Sequence, residues 1–277
     1  MAKALSAGRA AGRPRGRPAS SLADTIADHP SSRWGGPILV HALVIALWQL
    51  VADHGGLPQY ILPSPTETLA TLFEPRNRWI ENTLVTATEI FGGFLLAVVI
   101  GVGIALLFSW SRLTLMLLMP LLVSLNMIPK VALGPLIIVW FGYGMGTNTA
   151  IAFAICFFPI VITTARGLSE IEPELLYLAR TVNASKWQIF RKIQFPGALP
   201  YIFSGMKVSA VLAVAGAVVG EFIGSEKGLG YLMLQVQINL DTATMFMAVL
   251  MITLIGVVLY GAVALLEWAL VRRGGAA

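Results

Sequence analysis

Only a few residues in this sequence combine chemical capability with an unusual setting, and nearly all sit inside apolar runs. Asn126 and Lys130 stand one helical turn apart in a run that extends from about 113 to 143. Lys207 lies about ten residues into a later run, and Ser209, Ala213, Gly216 and Gly220 follow on it at spacings of three or four. An ammonium in apolar surroundings can draw in an anionic solute or hold a carboxylate. Small residues at this spacing let two helices approach closely, within one subunit, between subunits or beside a solute path. Two readings of Lys130 stand open: attraction of an anionic solute, or snorkelling of its amine to the outer headgroups. At 1.5 Å per residue its place about 17 residues into the run puts it in the outer half of a bilayer. Lys207 either faces a path or pairs with an acid such as Glu89, whereas Glu221, near the end of its run, reads as interfacial.

Other chemistries are absent from the pattern. There is no H-E-x-x-H, no G-x-S-x-G and no paired aspartates in the apolar runs, so an intramembrane enzyme is disfavoured. No G-x-x-x-x-G-K-[ST] stretch occurs, and no Lys is followed by Ser or Thr, so nucleotide hydrolysis is not expected on this chain. The single cysteine, Cys156, reads as a small buried hydrophobe, and His41 has no second His nearby; no metal or cofactor is expected.

These residues need a scaffold, and composition states which kind. Of 277 residues 57% are hydrophobic and only 12% are charged, about half the charge of a soluble domain. Several runs exceed the roughly 18 apolar residues that a bilayer crossing needs. They are continuous rather than alternating, so helices are implied and a barrel is not. The expectation is an all-α integral membrane protein with spans at about 37–52, 83–110, 113–128 with a short helix at 130–142, 147–165, 198–222 and 244–266. Pro129 breaks the third run. Residues 1–36, rich in Ala, Gly, Pro, Ser and Arg, read as a disordered basic tail without the apolar core of a signal peptide, so the first span is expected to stay uncleaved. The membrane-spanning remainder is 37–272. With six spans and both termini inside, 14 of the 19 lysines and arginines fall on the cytoplasmic side and three outside, as the positive-inside rule requires. The net charge of +5 is thereby assigned to topology rather than to nucleic acid; the tail could also touch anionic lipid.

One polar stretch interrupts the apolar pattern, 171–196, IEPELLYLARTVNASKWQIFRKIQFP. Pro173, Glu172 and Glu174 suit a helix start, and Leu175, Leu178, Ala179 and Val182 recur at helical spacing. Asn183 tolerates the left-handed conformation that stops a helix. Ser185 and Gln188 form an S-x-x-Q capping box for a second helix carrying Trp187, Phe190 and Ile193, which Pro196 is expected to close. A second start signal, Ser64-Pro65-x-Glu67, predicts a short helix from about 65 to 74. The helix–turn–helix is either an ordinary loop packed on its own spans or a docking element for another protein.

The stretch resembles the cytoplasmic EAA loop of ABC importer permeases, whose pattern is E-A-A, three residues, G, nine residues, I, any residue, L-P. Tyr177, Leu178 and Ala179 stand at its first three positions, Asn183 at the glycine, Ile193 at the isoleucine, and Phe195 and Pro196 at the end. LPSPTETL, IPKVALGPLIIVWFGYG, FPGALPYIFSGMKV and VVGEFIGSEKGLGY extend the resemblance, to the nitrate/sulfonate/taurine branch, over about 35–270. It implies a type I importer permease fold in the cell inner membrane. A cytoplasmic ATP-binding subunit, present in two copies, would dock at Tyr177, Leu178, Ala179, Asn183, Ala184, Ser185, Trp187, Ile193 and Pro196. A second permease copy, most simply an identical one, and an extracytoplasmic solute-binding protein would complete the complex. The solute would be small and polar or anionic, sulfonate-, taurine- or nitrate-like, or pyrimidine- or vitamin-like. The competing class is a secondary transporter without an ATPase partner, which would show inverted repeats and intramembrane carboxylates; no such repeat is visible.

Overall fold

The computed structural model describes residues 32–109 and 111–272. Most of the expected tail, together with Trp110 and Arg273, lies outside the described residues. Among the described residues the structure is helical and without strands. Residues up to Gly56 form a unit of their own, a single apolar helix α1, Ser32–His54, which begins five residues before the expected span.

The rest of the chain is one compact unit. It opens with a short helix α2, Pro65–Ala70, started by the predicted capping box: Ser64 N donates to Glu67 Oε2 (2.9 Å) and Glu67 N to Ser64 Oγ (3.2 Å). Then come α3 (Trp79–Ser109), α4 (Arg112–Asn126), α5 (Gly134–Phe141), α6 (Met145–Ser169), α7 (Pro173–Thr181), α8 (Lys186–Ile189), α9 (Phe195–Gly224), α10 (Leu229–Gln237) and α11 (Thr242–Glu267). Five helical stretches, α1 included, are long and apolar enough to cross a membrane. The pieces Met116–Asn126 and Lys130–Phe141 meet at 77° and make a sixth crossing if they count as one broken span. Pro129 is the reason: it cannot continue α4, and a single 3₁₀ turn, Lys130–Leu133, redirects the chain into α5.

The centre of the unit is α6, packed along its length against α3 and α9. Ala152 sits where the three backbones converge. A Cβ on Gly93 of α3 would lie 2.6 Å from the Ala152 Cβ, and one on Gly216 of α9 would lie 2.7 Å from its Cα. Farther along, Cys156 Sγ donates to Ser209 O (3.2 Å) while Ser209 Oγ donates to Cys156 O (2.9 Å), a reciprocal pin between α6 and α9. Helix α11 covers the other side of α9 through Met247, Ile252 and Leu259.

Two expectations fail here. Pro196 does not close the second hairpin helix. A π-helical turn, Phe190–Gln194, carries α8 straight into α9, so 186–224 is one continuous helix. The widened turn, with Phe195 N bonded to Phe190 O, accommodates the proline ring that a regular turn would press against the carbonyl four residues back. The connection after α9, expected to be a loop, contains α10, whose Leu229 and Leu232 are buried in the core.

Candidate functional site

The hairpin stands at one end of the bundle, between α6 and α9. Its turn is a complete Schellman motif: Ala184 N bonds to Ala179 O (2.9 Å), Asn183 N bonds to Arg180 O (3.0 Å), and Asn183 takes φ 54°. The capping box follows at once, with Ser185 N donating to Gln188 Oε1 (2.8 Å) and Gln188 N to Ser185 Oγ (3.3 Å). Ala179 is buried, while Leu178 and Val182 on the same helix are exposed by 63% and 71%. Tyr177 (68%) and Trp187 (55%) add to this apolar surface, and the Trp187 ring stacks on Phe190 with centroids 5.5 Å apart. Phe190 in turn packs with Leu168, Ala198 and Ile202 at the base of the bundle. Asn183 and Ser185 are exposed, Ala184 and Ile193 half-buried and Pro196 exposed. The folded-back helix pair thus keeps Leu178, Val182 and Trp187 exposed as one apolar surface.

At the base of the hairpin Glu170 accepts from Arg166 Nε (2.8 Å). Hydrogen bonding from Tyr201 and then from Arg166 holds its carboxyl below the usual carboxylate range. The turn itself gives a direct expectation. Asn183→Gly keeps the left-handed residue and leaves stability within a few tenths of a kcal/mol, whereas Asn183→Val costs about 1–2 kcal/mol, because a β-branched residue clashes at this φ. Proteolytic sensitivity of the hairpin, compared between the two variants, checks it.

The intramembrane candidates fall into different places. Lys130 is half-buried. It turns back to cap α4, donating to Asn126 O (2.7 Å) and Asn126 Oδ1 (2.9 Å), with its Nζ 5.2 Å from the centre of the Phe158 ring. Phe158 is halfway along α6, Met145–Ser169. Lys207 pairs with Glu267 of α11, not with Glu89. Ser209, Ala213, Gly216 and Gly220 are buried within the chain; three of them meet α6, at Cys156, Ala152 and Asn148. In this structure the four pack inside the subunit.

A polar cluster forms at the end of the bundle opposite the hairpin, and the sequence reading missed it. Glu221, expected at an interface, is 1% exposed, and Glu89 of α3 is 0% exposed. Thr86 Oγ1 and the N–H groups of Gly230 and Tyr231 donate to Glu221, and Asn148 Nδ2 donates to Glu89 Oε1 (2.8 Å). Thr86 Oγ1 also accepts from Leu229 N (2.8 Å), and Asn82 Oδ1 accepts from Gly228 N (3.0 Å). Four successive backbone N–H groups, 228 to 231, are thus satisfied by α3 and α9, a complete cap for the first turn of α10. The glycines of the G-L-G sequence are what admit the carboxyl. A Cβ on Gly228 would fall 2.3 Å from Glu221 Cδ, and one on Gly230 would fall 2.8 Å from Glu221 Oε2. The available sequence signal was the occurrence of two carboxylates within apolar runs, one of them a helical turn from a threonine.

Comparison with known proteins adds an independent finding. The family described as binding-protein-dependent transport system inner membrane component matches residues 97–272. A probable ABC transporter permease protein of Haemophilus influenzae is 37% identical over 236 residues, 85% of this chain and 95% of the relative. The formylaminopyrimidine transport permease protein ThiX of Halalkalibacterium halodurans is 31% identical, over 83% of this chain and 92% of its own. The riboflavin transport system permease protein RibX of Chloroflexus aurantiacus is 36% identical, over 83% and 87%.

Proposed function

Because the chain belongs to the family of inner membrane components of binding-protein-dependent transport systems, we propose that it works through its 171–196 hairpin as the part of an ABC importer that a separate ATP-binding subunit moves. It is a multi-pass inner membrane permease. In the proposed complex the hairpin faces the cytoplasm, two ATP-binding subunits each receive one hairpin, and a second copy of this chain supplies the other half of the path. An extracytoplasmic solute-binding protein delivers the solute. The observation that carries this reading is the open apolar surface of Tyr177, Leu178, Val182 and Trp187 on a hairpin closed by its own caps. Continuity of 186–224 supports it further: a force applied at Trp187 reaches α9 through one unbroken helix. Closure of the ATP-binding subunits then moves α9, and with it α6 and α3, which interlock with it at Ala152.

The proposed solute is small and polar or anionic. Relatives bearing the names of formylaminopyrimidine and riboflavin transport support the pyrimidine- or vitamin-like part of that range. Asn126 and Lys130, half-buried beside the middle of α6, are the proposed polar contact along the route.

The test is copurification. The intact chain, coexpressed with candidate ATP-binding subunits, is expected to retain one of them in detergent. Trp187→Asp or Ala184→Glu is expected to weaken retention at least ~30-fold, the loss of about 2 kcal/mol typical of an aromatic anchor, with the thermal unfolding of the permease itself unchanged. Retention that ignores both substitutions removes the hairpin as the docking element, and a folded permease that retains no ATP-binding subunit overturns the proposed coupling and reopens a transporter without an ATPase partner.

A further inference from the structure

We infer that Glu89 and Glu221 form a proton-binding site, reached from the end of the bundle opposite the hairpin, whose occupancy holds α10 against α3 and α9. Its position on the extracytoplasmic side rests on the orientation proposed above; its chemistry does not.

The hydrogen-bond inventory carries the inference. The two carboxyls are neighbours: Thr86, one turn before Glu89 on α3, donates to Glu221, and Asn148, which donates to Glu89, stands 2.9 Å from where a Cβ on Gly220, next to Glu221, would lie. Glu221 Oε1 accepts from Thr86 Oγ1, Glu221 Oε2 from Gly230 N and Tyr231 N, and Glu89 Oε1 from Asn148 Nδ2. Glu89 Oε2 receives no donor among the described residues, and neither does Asn148 Oδ1. The partners are all neutral: a hydroxyl, two backbone amides and a side-chain amide. Two buried carboxylate oxygens cannot rest against each other without a proton between them, since both would be charged, desolvated and repelling. One proton on Glu89 Oε2 completes that oxygen and turns the contact into a hydrogen bond to Glu221. Glu221 then remains the anion, in the position where three donors and the first turn of α10 favour one.

The structure also offers the proton a route. Glu89 lines a cleft of about 580 Å³ whose walls include Val85, Tyr143, Met145, Ile223 and Lys227. The titratable groups around the pair are Tyr143, Glu226 and Lys227 in that cleft, Glu81 two turns up α3, where it is paired with Lys227 and Arg78, and Tyr231 on α10. Helix α6 contributes only the neutral Thr147 and Asn148 at this level. Binding is a plain acid–base step: hydronium in the cleft gives its proton to a Glu89 oxygen and leaves as water. Release puts two anions in contact. Glu89, which lines the cleft and has one donor, is the one free to swing out, and Glu221 loses its neighbour on α3.

The test uses the full chain in lipid nanodiscs, so that its outcome is independent of transport and of any partner. Infrared spectroscopy is expected to show a protonated-carboxyl stretch at neutral pH that disappears on raising the pH, together with a fall in the unfolding temperature. Glu89→Gln keeps both hydrogen bonds, since its amide nitrogen donates to Glu221 and its oxygen accepts from Asn148. It is expected to lose that stretch and to keep a pH-independent unfolding temperature at the neutral wild-type level. A wild-type spectrum without the stretch at neutral pH overturns the inference whether or not the variant folds. So does a Glu89→Gln protein as pH-sensitive as wild type, or a wild-type unfolding temperature that follows sodium concentration rather than pH.

Discussion

Replacing Gly228 by alanine is expected to destabilise the protein by on the order of 4 kcal/mol, through backbone strain of roughly 1–3 kcal/mol and hydrogen bonds left unmade at about 1–3 kcal/mol per buried group. Gly228 holds φ 115° and ψ 166°, a region open essentially to glycine alone. The new methyl would also stand 2.3 Å from Glu221 Cδ. The carboxyl must then withdraw from Gly230 N, Tyr231 N and Thr86 Oγ1, with no solvent to replace them. Gly230→Ala is the informative comparison. Its methyl also meets Glu221, at 2.8 Å from Oε2, but from a helical backbone, so its cost is expected to be clearly smaller. Thermal unfolding of the two variants in nanodiscs measures the difference. Equal losses would remove backbone strain from the explanation, and no loss in either would mean that Glu221 is not held by α10.

The second large effect is expected at the centre of the bundle. Gly216→Val should cost about 3 kcal/mol, at the upper end of what overpacking a tight core costs. The first new atom would lie 2.7 Å from Ala152 Cα, which is backbone and cannot rotate away. Ala152 is also held from the other side by Gly93, so α6 cannot shift toward α3 to make room. Ala215→Val, one residue earlier on an exposed face of α9, is expected to change stability by less than about 0.5 kcal/mol. A matched loss in both variants would show that α9 tolerates no bulk anywhere and that the interlock at Ala152 is not special.

Taken together, the two ends of α9 do different things. At the hairpin end the helix is continuous with Trp187 and its apolar surroundings. At the other end it presents Glu221 to α10, in the same buried cluster as Glu89 of α3. A displacement of α9 driven from the hairpin therefore acts on the Glu89–Glu221 contact and on the cleft beside it. Both carboxylates are buried, and their partners are the backbone of α10, a hydroxyl of α3 and an amide of α6.

Much of the local structure was legible in the amino-acid sequence. The helical membrane class, the break at Pro129, both capping boxes and the left-handed stop at Asn183 follow from apolar run length or from interactions between residues no more than five apart, and these survive whatever the rest of the chain does. Tertiary structure alone decided which helix each polar group meets. Lys207 found Glu267 and not Glu89, Glu221 went inward to cap α10, and the small residues of α9 turned toward α6. The physical reason is that helices apolar on every side carry little periodic signal of which face is buried. Rotation and relative depth are then set by close packing at a few glycines, together with the need to satisfy the few polar groups that the bilayer leaves without water.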